Sequence, residues 1–558
     1  MPFSSYPYRP ANLAPRDASR RKRPPGRAAW LGAVLALVTS TLVTGATAQA
    51  AAKSGPQVGT TVRTQQGLVR GMGTADGRQF LGVPYAAQPV GDLRWRAPQP
   101  APNWAGVRAA TAFGHRCVQG TSHDPGYDQP TYTEDCLNLN VYTPARSARR
   151  LPVMVWFHGG GMTAGAGADV VPDEFAAKGN VIAVTSNYRL GAMGFLATPS
   201  LGKEARDGVS GNFGMQDQQA ALRWVRDNIA SFGGDPGKVT IAGESAGGTS
   251  VCTQLVSPGA RGLFRSAIIE SGVEDDCKAR TSSAADSAGS SFAASLGCDA
   301  PATAAACLRR KSAKDILNAQ SAYRWRPVAG GSFLPEQPPT AMERGHHARV
   351  PVLNGANRDE GRLFVYGDLD GSGRPLTADQ YPQKLTSVFG TDVGAKALRR
   401  YPLDSYPTPT LAYAAAFGDR LVACGELRIG ARLAARTPVY AYEFADVTGP
   451  PFASLRNLDT DFPFGATHVN EVQYLFKHFG LDSPFNAEEQ ALSEQMTAYW
   501  TSFIRTGVPQ AAGQPEMPDQ HATPGMALTL RTASAGGNTP TRTLYSDHKC
   551  DLWDAVAS

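Results

Sequence analysis

Short apolar runs punctuate the chain at 152–157, 181–187, 239–243, 267–271, 350–355 and 438–444. Each is followed by a glycine-rich turn or an amphipathic stretch, the pattern of strands buried on both faces. After the second run, 216–232 repeats apolar residues at helical spacing, with Ala221, Trp224, Val225 and Ile229 on one face. That spacing predicts an amphipathic helix. Strands alternating with helices predict an α/β fold, a central, mostly parallel twisted sheet with helices on both faces. No internal repeat or linker divides 56–555, so 51–558 is expected to form one domain.

The chain has 558 residues, 42% of them hydrophobic and 18% charged, which excludes a disordered or collagen-like protein. A net charge of +6 would suggest an anionic partner if it were spread along the chain. It is not. Residues 1–50 hold seven basic residues and one acid, Asp17, and the remainder is formally neutral, so no nucleic-acid partner is expected. Those fifty residues have the layout of a secretory signal. A basic region ends at Arg27, an apolar stretch spans 28–43, and Ala48-Gln49-Ala50 places small residues where signal peptidase reads them. We expect a signal peptide at 1–50 and a secreted, extracellular chain at 51–558 with no stable membrane association. The alternative, an uncleaved anchor, fits poorly with the Thr, Ser and Gly in the apolar stretch. Arg20-Arg21 hints at a twin-arginine route, but Lys-Arg-Pro-Pro follows where apolar residues belong.

Eight cysteines, an even count in an exported chain, read as disulfides. None forms a C-x-x-C pair, and no P-loop, H-E-x-x-H or dinucleotide fingerprint occurs, so neither a metal nor a cofactor is expected. Asp368-Leu-Asp-Gly-Ser-Gly373 imitates the start of a calcium loop, but Pro375 stands at its eighth position and Asp379, rather than Glu, at its twelfth. An acidic turn before a helix capped by Thr377, with Gln380 closing a capping box, is expected there instead.

The chemistry begins at Gly243-Glu244-Ser245-Ala246-Gly247, which directly follows the run 239–243. A G-x-S-x-G sequence between a strand and a helix makes a tight turn that lifts the serine hydroxyl above the sheet. A free hydroxyl is a weak nucleophile and needs a neighbouring base. The second piece, His158-Gly159-Gly160-Gly161, follows the run 152–157. Three glycines let the backbone aim its N–H groups into a cavity, as an oxyanion hole requires. Gly160, Gly161 and Ala246 are the expected donors, and His158 is expected to be structural.

On these motifs the chain resembles the type-B carboxylesterase family of α/β-hydrolases, which includes cholinesterases and some secreted fungal lipases. The stretch 232–247, Phe-Gly-Gly-Asp-Pro-Gly-Lys-Val-Thr-Ile-Ala-Gly-Glu-Ser-Ala-Gly, fits the family's serine signature at every constrained position. Stretches 80–94, 134–140, 187–191 and 211–217 fit its other landmarks, apart from Asn138, where the family has an aromatic residue or Thr. The resemblance implies an acid loop at 355–361 with Glu360 as triad acid, although spacing alone does not choose between Glu360 and Asp359. It also implies a histidine loop at 465–471 with His468 as base; His478, His521 and His548 lie equally late in the chain. Glu244 and Ser271 match positions that support the triad through hydrogen bonds, and Arg189 with Asp217 matches a buried ion pair. Among cysteines, the family pattern implies Cys117–Cys136, Cys298–Cys307 and Cys424–Cys550. Cys252 and Cys277 are left over, either bonded to each other or as two buried thiols.

The roles imply a serine carboxylic-ester hydrolase: His468 takes the Ser245 proton, Glu360 orients the imidazole, and the serine attacks an ester carbonyl to form an acyl-enzyme. The expected partner is a small-molecule ester. The Cys117–Cys136 loop contains no Trp, so binding of a quaternary ammonium by cation–π attraction is not expected. The loop is also short and polar, a poor lid for a lipase of long-chain glycerides, although Tyr127 and Tyr132 on it are candidate substrate contacts. Two readings compete: such a lipase, and the non-catalytic adhesion branch of the fold, whose members often lack triad residues.

Overall fold

All six apolar runs lie on strands of one eleven-stranded sheet. The computed structural model describes residues 59–557, except for 123, 125, 146–148, 273, 457 and 459. The export segment expected at 1–50 lies outside the described residues. In chain order the strands are β1 (Met72–Gly73), β2 (Gly77–Pro84), β3 (Asn138–Pro144), β4 (Leu151–Phe157), β5 (Ile182–Ser186) and β6 (Gly234–Glu244). There follow β7 (Ser266–Glu270), β8 (Val352–Asn357), β9 (Val439–Phe444), β10 (Ala527–Leu530) and β11 (Thr539–Thr541). Their spatial order is β11-β10-β9-β8-β7-β6-β4-β5-β3-β2-β1. The seven from β10 to β5 run parallel, and antiparallel strands complete both edges. This is the α/β-hydrolase fold.

Alternation along each strand feeds two cores. On β4, Val153, Val155 and Phe157 face one cluster, while Met154 and Trp156 face the other. Strands covered on both sides have no polar face to show, which is why they read as unbroken apolar runs. Five strands, β1, β2, β3, β10 and β11, go beyond the predicted set. β3 reads Asn-Leu-Asn-Val-Tyr-Thr-Pro, yet all of it is buried. Its Asn140 amide donates to the Thr185 hydroxyl and the Gly167 carbonyl, so the polar residue is satisfied inside. Asn138 donates to the carbonyls of His115 and Cys136, a structural role for the residue that departs from the family pattern.

The predicted helix is α1 (Phe213–Asn228), prolonged by a 3-10 turn at Ile229–Phe232. It begins a turn earlier than expected because Phe213 and Met215 are also buried and Asn212 is fixed by two 2.8 Å bonds to the Val328 backbone. Ala221, Trp224, Val225 and Ile229 pack in the first core. Also on that side is α2 (Ala246–Val256), which follows β6 directly, while α3 (Gly361–Asp368) follows the β8 turn. The second core is covered by α4 (Ala487–Thr506) through Leu492, Met496, Tyr499, Trp500 and Phe503. The expected cap at Thr377 does not form: the helix there spans Tyr381–Phe389 with Gln380 as its N-cap. Only the Thr377 N–H to Gln380 Oε1 half of the box is made, because the Thr377 hydroxyl turns to Asp379.

Four disulfides join Cys117–Cys136, Cys252–Cys277, Cys298–Cys307 and Cys424–Cys550. Arg189 and Asp217 form a buried two-point ion pair at 2.7 and 2.8 Å. Among the described residues no helix is long and apolar enough to cross a membrane. Strand order reverses around β4, whose neighbours are β5 and β6. The crevice at the C-terminal ends of these strands is where an open α/β sheet binds its ligands.

Candidate active site

β6 ends at Glu244 and α2 begins at Ala246, leaving one residue, Ser245, to make the turn. Ser245 adopts φ 55° and ψ −122°, a conformation that costs a non-glycine residue on the order of 1–3 kcal/mol. Its N–H donates to the Glu270 carbonyl at 2.9 Å, tying the turn to β7. The flanking glycines are steric necessities. A Cβ on Gly247 would run into the Phe157 carbonyl, and one on Gly243 would lie 2.6 Å from Gly247.

Ser245 is half-buried, and its Oγ lies 2.9 Å from His468 Nε2. His468 Nδ1 lies 2.6 Å from Glu360 Oε2. The other Glu360 oxygen accepts the Ser271 hydroxyl at 2.6 Å and the Asn357 N–H at 2.8 Å. Three chain-distant loops thus meet in one hydrogen-bonded line. Asp359 points elsewhere, toward the Arg362 guanidinium at 2.8 Å and the Ala466 N–H at 3.0 Å. The other late histidines stand apart from Ser245. His478 is buried beside Phe479, His521 sits against the Ala434 carbonyl, and His548 bridges Asp419 and Glu443.

Gly160 and Gly161 have φ 97° and 61°. The Gly160 carbonyl accepts from Thr163 and Ala164 N–H, folding the loop into a single turn. Among the described residues, the N–H groups of Gly160, Gly161 and Ala246 donate to no protein acceptor. Ala246 opens α2, so its N–H has no partner within the helix and carries the positive end of the helix dipole. His158 stacks on Tyr188 with ring centroids 4.4 Å apart, and its carbonyl accepts the Tyr188 hydroxyl. Burial presses the His158 imidazole down to about 4, which suits a packing role.

Electrostatics centre on His468. Burial opposes its charged form, but the carboxylates of Glu244, Glu360 and Glu471 outweigh that and lift it to about 10. Glu244 Oε1 is 3.2 Å from His468 Nε2. Burial, reinforced by Glu471, Glu360 and Glu270, pushes the Glu244 carboxyl well above the usual range. Burial and Glu360 raise Glu471 to about 7, and burial and Glu471 raise Glu270. Glu270 Oε1 accepts the Trp500 indole N–H at 2.7 Å. Asn357 donates to Glu471 and, at 2.7 Å, to the Thr467 carbonyl, tying the acid loop to the histidine loop.

Asn357 and Glu471 are residues that reading for roles passes over, although both stand inside the stretches 355–361 and 465–471. Phe364, whose ring centroid is 4.8 Å from that of His468, carries no such signal. Tyr127 is no substrate contact: it is buried, its hydroxyl is hydrogen-bonded to Asp169 and its ring lies under the Arg116 guanidinium. Among the described residues no group of three His, Cys, Asp or Glu side chains is arranged to hold a metal ion.

A model of the carboxylesterase family matches residues 58–553. Fumonisin B1 esterase of Sphingopyxis macrogoltabida is 35% identical over 528 residues, 89% of this chain and 92% of that one. Para-nitrobenzyl esterase of Bacillus subtilis (strain 168) is 35% identical over 481 residues, 80% of this chain and 90% of its own. Among solved structures, a PNB esterase superposes with a TM-score of 0.73 at 32% identity, covering 89% of this chain and 100% of that chain.

Proposed function

The chain belongs to the carboxylesterase family and is a carboxylic ester hydrolase, and from that premise we propose that it is an exported serine esterase working through Ser245, His468 and Glu360. The observation that carries this reading is the unbroken line from Ser245 Oγ through His468 to Glu360, at 2.9 and 2.6 Å. His468 takes the hydroxyl proton at Nε2 as Oγ bonds to the ester carbonyl carbon. Glu360 holds the imidazole by Nδ1 and stabilises its cation. The carbonyl oxygen becomes an oxyanion, bound by the N–H groups of Gly160, Gly161 and Ala246. Each such donor typically contributes about 10²–10³ in rate. The imidazolium protonates the departing alcohol, and water then repeats the attack on the acyl-enzyme, releasing the acid and restoring Ser245.

Glu244 and Ser271 act through their neighbours, Glu244 on the proton affinity of His468 and Ser271 on the orientation of Glu360. Four disulfides fit an oxidising destination, in line with an export segment at 1–50 followed by a hydrolase domain at 51–558. Soluble esters, rather than long-chain glycerides, are the substrate class. The hydrogen bond from Tyr127 in the Cys117–Cys136 loop to Asp169 supports that reading, because it ties this loop residue to the body of the protein.

The test is a panel of p-nitrophenyl esters of increasing acyl length, alongside emulsified triolein, on the wild type and on Ser245→Ala. We expect short-chain esters to be preferred and kcat to fall about 10⁶-fold in the variant. Comparable hydrolysis by Ser245→Ala removes the mechanism. Faster turnover of triolein than of the soluble esters makes the protein a lipase.

A further inference from the structure

We propose that Gln119 is a positioning residue for ester hydrolysis, holding the oxyanion loop in shape through the backbone of Gly165. Gln119 lies in the Cys117–Cys136 loop and is fully buried. Its side-chain Oε1 accepts the Gly165 N–H at 2.9 Å, and its Nε2 donates to the Gly165 carbonyl at 3.0 Å. The second Nε2 hydrogen goes to the Cys117 carbonyl at 3.0 Å. Its own N–H and carbonyl pair with Thr131 across the loop, at 3.1 and 3.0 Å. Every polar group of the residue is therefore engaged, and two of its bonds clamp a single peptide segment in another part of the chain.

That segment sits against the oxyanion loop. Gly165 has φ 102°, and a Cβ there would come within 2.7 Å of the Gly159 carbonyl and collide with the His158 ring. A Cβ on Gly160 would in turn come within 3.3 Å of the Gly165 nitrogen. Gly165 is thus packed on the peptide that sets the direction of the Gly160 N–H, and beside Gly160 itself, which carries the chain on to Gly161. The residues after it are held in the same manner: Ala166 N–H by Asp169 at 2.8 Å, and Gly167 N–H by Asn187 at 2.7 Å. Glycine-rich backbone has no side chains of its own to fix it, and gains definition only from such outside partners. An amide matches Gly165 because a peptide offers one donor and one acceptor, and Gln offers the complement.

The inference rests on reading Gly160 and Gly161 as oxyanion donors. An oxyanion exists only after attack, so loosening the loop weakens binding of the transition state and leaves substrate binding nearly alone. The experiment compares Gln119→Met, Ser245→Ala and wild type on p-nitrophenyl butyrate. It also measures inhibition by a trifluoromethyl ketone, which takes up a serine hydroxyl as a tetrahedral oxyanion. Gln119→Met is expected to lose about 10- to 100-fold in kcat, a fraction of the effect of deleting a donor, with KM within twofold. Its Ki for the ketone should rise by the same factor as kcat falls. Unchanged kcat and Ki overturn the proposal, including where the melting temperature drops, since Gln119 then merely supports the fold. Should Gln119→Met not fold, Gln119→Glu replaces it, keeping the acceptor for Gly165 N–H and lacking both donor bonds, with the same readouts. Full activity in Ser245→Ala would instead strike the underlying mechanism, whatever Gln119 does.

Discussion

His468 works between opposing forces: burial discourages its cation, and the surrounding carboxylates favour it more strongly. In the proposed mechanism only the neutral imidazole accepts the Ser245 proton, so kcat/KM should rise as pH rises through the His468 titration. Because that titration is raised toward about 10, the inflection is expected above the ordinary histidine value of about 6.5. Glu244, 3.2 Å from Nε2, is the carboxylate that pulls hardest. Glu244→Gln removes its charge while keeping its shape, and should move the inflection downward in a pH profile of kcat/KM. An inflection that stays put would show that Glu244 carries no charge in the working enzyme. The next residue, Val469, is held at φ 73°, a region foreign to β-branched side chains. That strain lies directly beside His468. The choice between Asp359 and Glu360 belongs to this scale too. Two adjacent carboxylates are indistinguishable by spacing, and only the fold turns one toward Arg362 and the other toward His468.

The strand–turn–helix of β6, Ser245 and α2 was legible in the chain because all its determinants are contiguous: an apolar run, small residues, a serine, more small residues. Its geometry makes a sharp demand. Gly247→Ala drives a methyl into the Phe157 carbonyl, so the turn must open or β4 must shift. We expect a loss of about 1–3 kcal/mol of stability and at least a 100-fold fall in kcat, read from urea unfolding and ester turnover on the same preparation. Wild-type kinetics in that variant would mean that the turn is not tight. The antiparallel strands were less legible. Strand β3 hides Asn138 and Asn140 in the interior, where hydrogen bonds to groups remote in sequence make polar residues acceptable. Hydrophobic patterning registers side chains, not the partners that satisfy them. The Thr377 cap was misplaced for a similar reason: its hydroxyl turns to donate to Asp379, and the helix starts later, at Tyr381.

For the molecule as a whole, Cys424–Cys550 closes a separation of 126 residues and ties down the last helix. Beside it, buried His548 is clamped between Asp419 and Glu443 at 2.5 and 2.7 Å. Burial works against the His548 cation, but these two carboxylates raise it well above the ordinary histidine range. In the chain-entropy description a loop of that length contributes about 5 kcal/mol. The double variant Cys424→Ala/Cys550→Ala should therefore unfold at a clearly lower urea midpoint and keep kcat/KM within about threefold on a short ester. An unmoved midpoint would mean that the unfolded chain is already held together there. The even cysteine count indicated disulfides but left the fate of Cys252 and Cys277 open, because a pairing is a statement about distance. The sequence by itself determined what is local: the buried strands, the amphipathic helix, the glycine-flanked Ser245 and the glycine-rich loop before it. The tertiary structure alone decided how Asp359 turns away to Arg362, that Cys252 joins Cys277, and how Gln119 reaches Gly165. Strand period and turn sterics act between near neighbours in the chain, whereas those contacts exist only after the sheet has brought distant loops to one end.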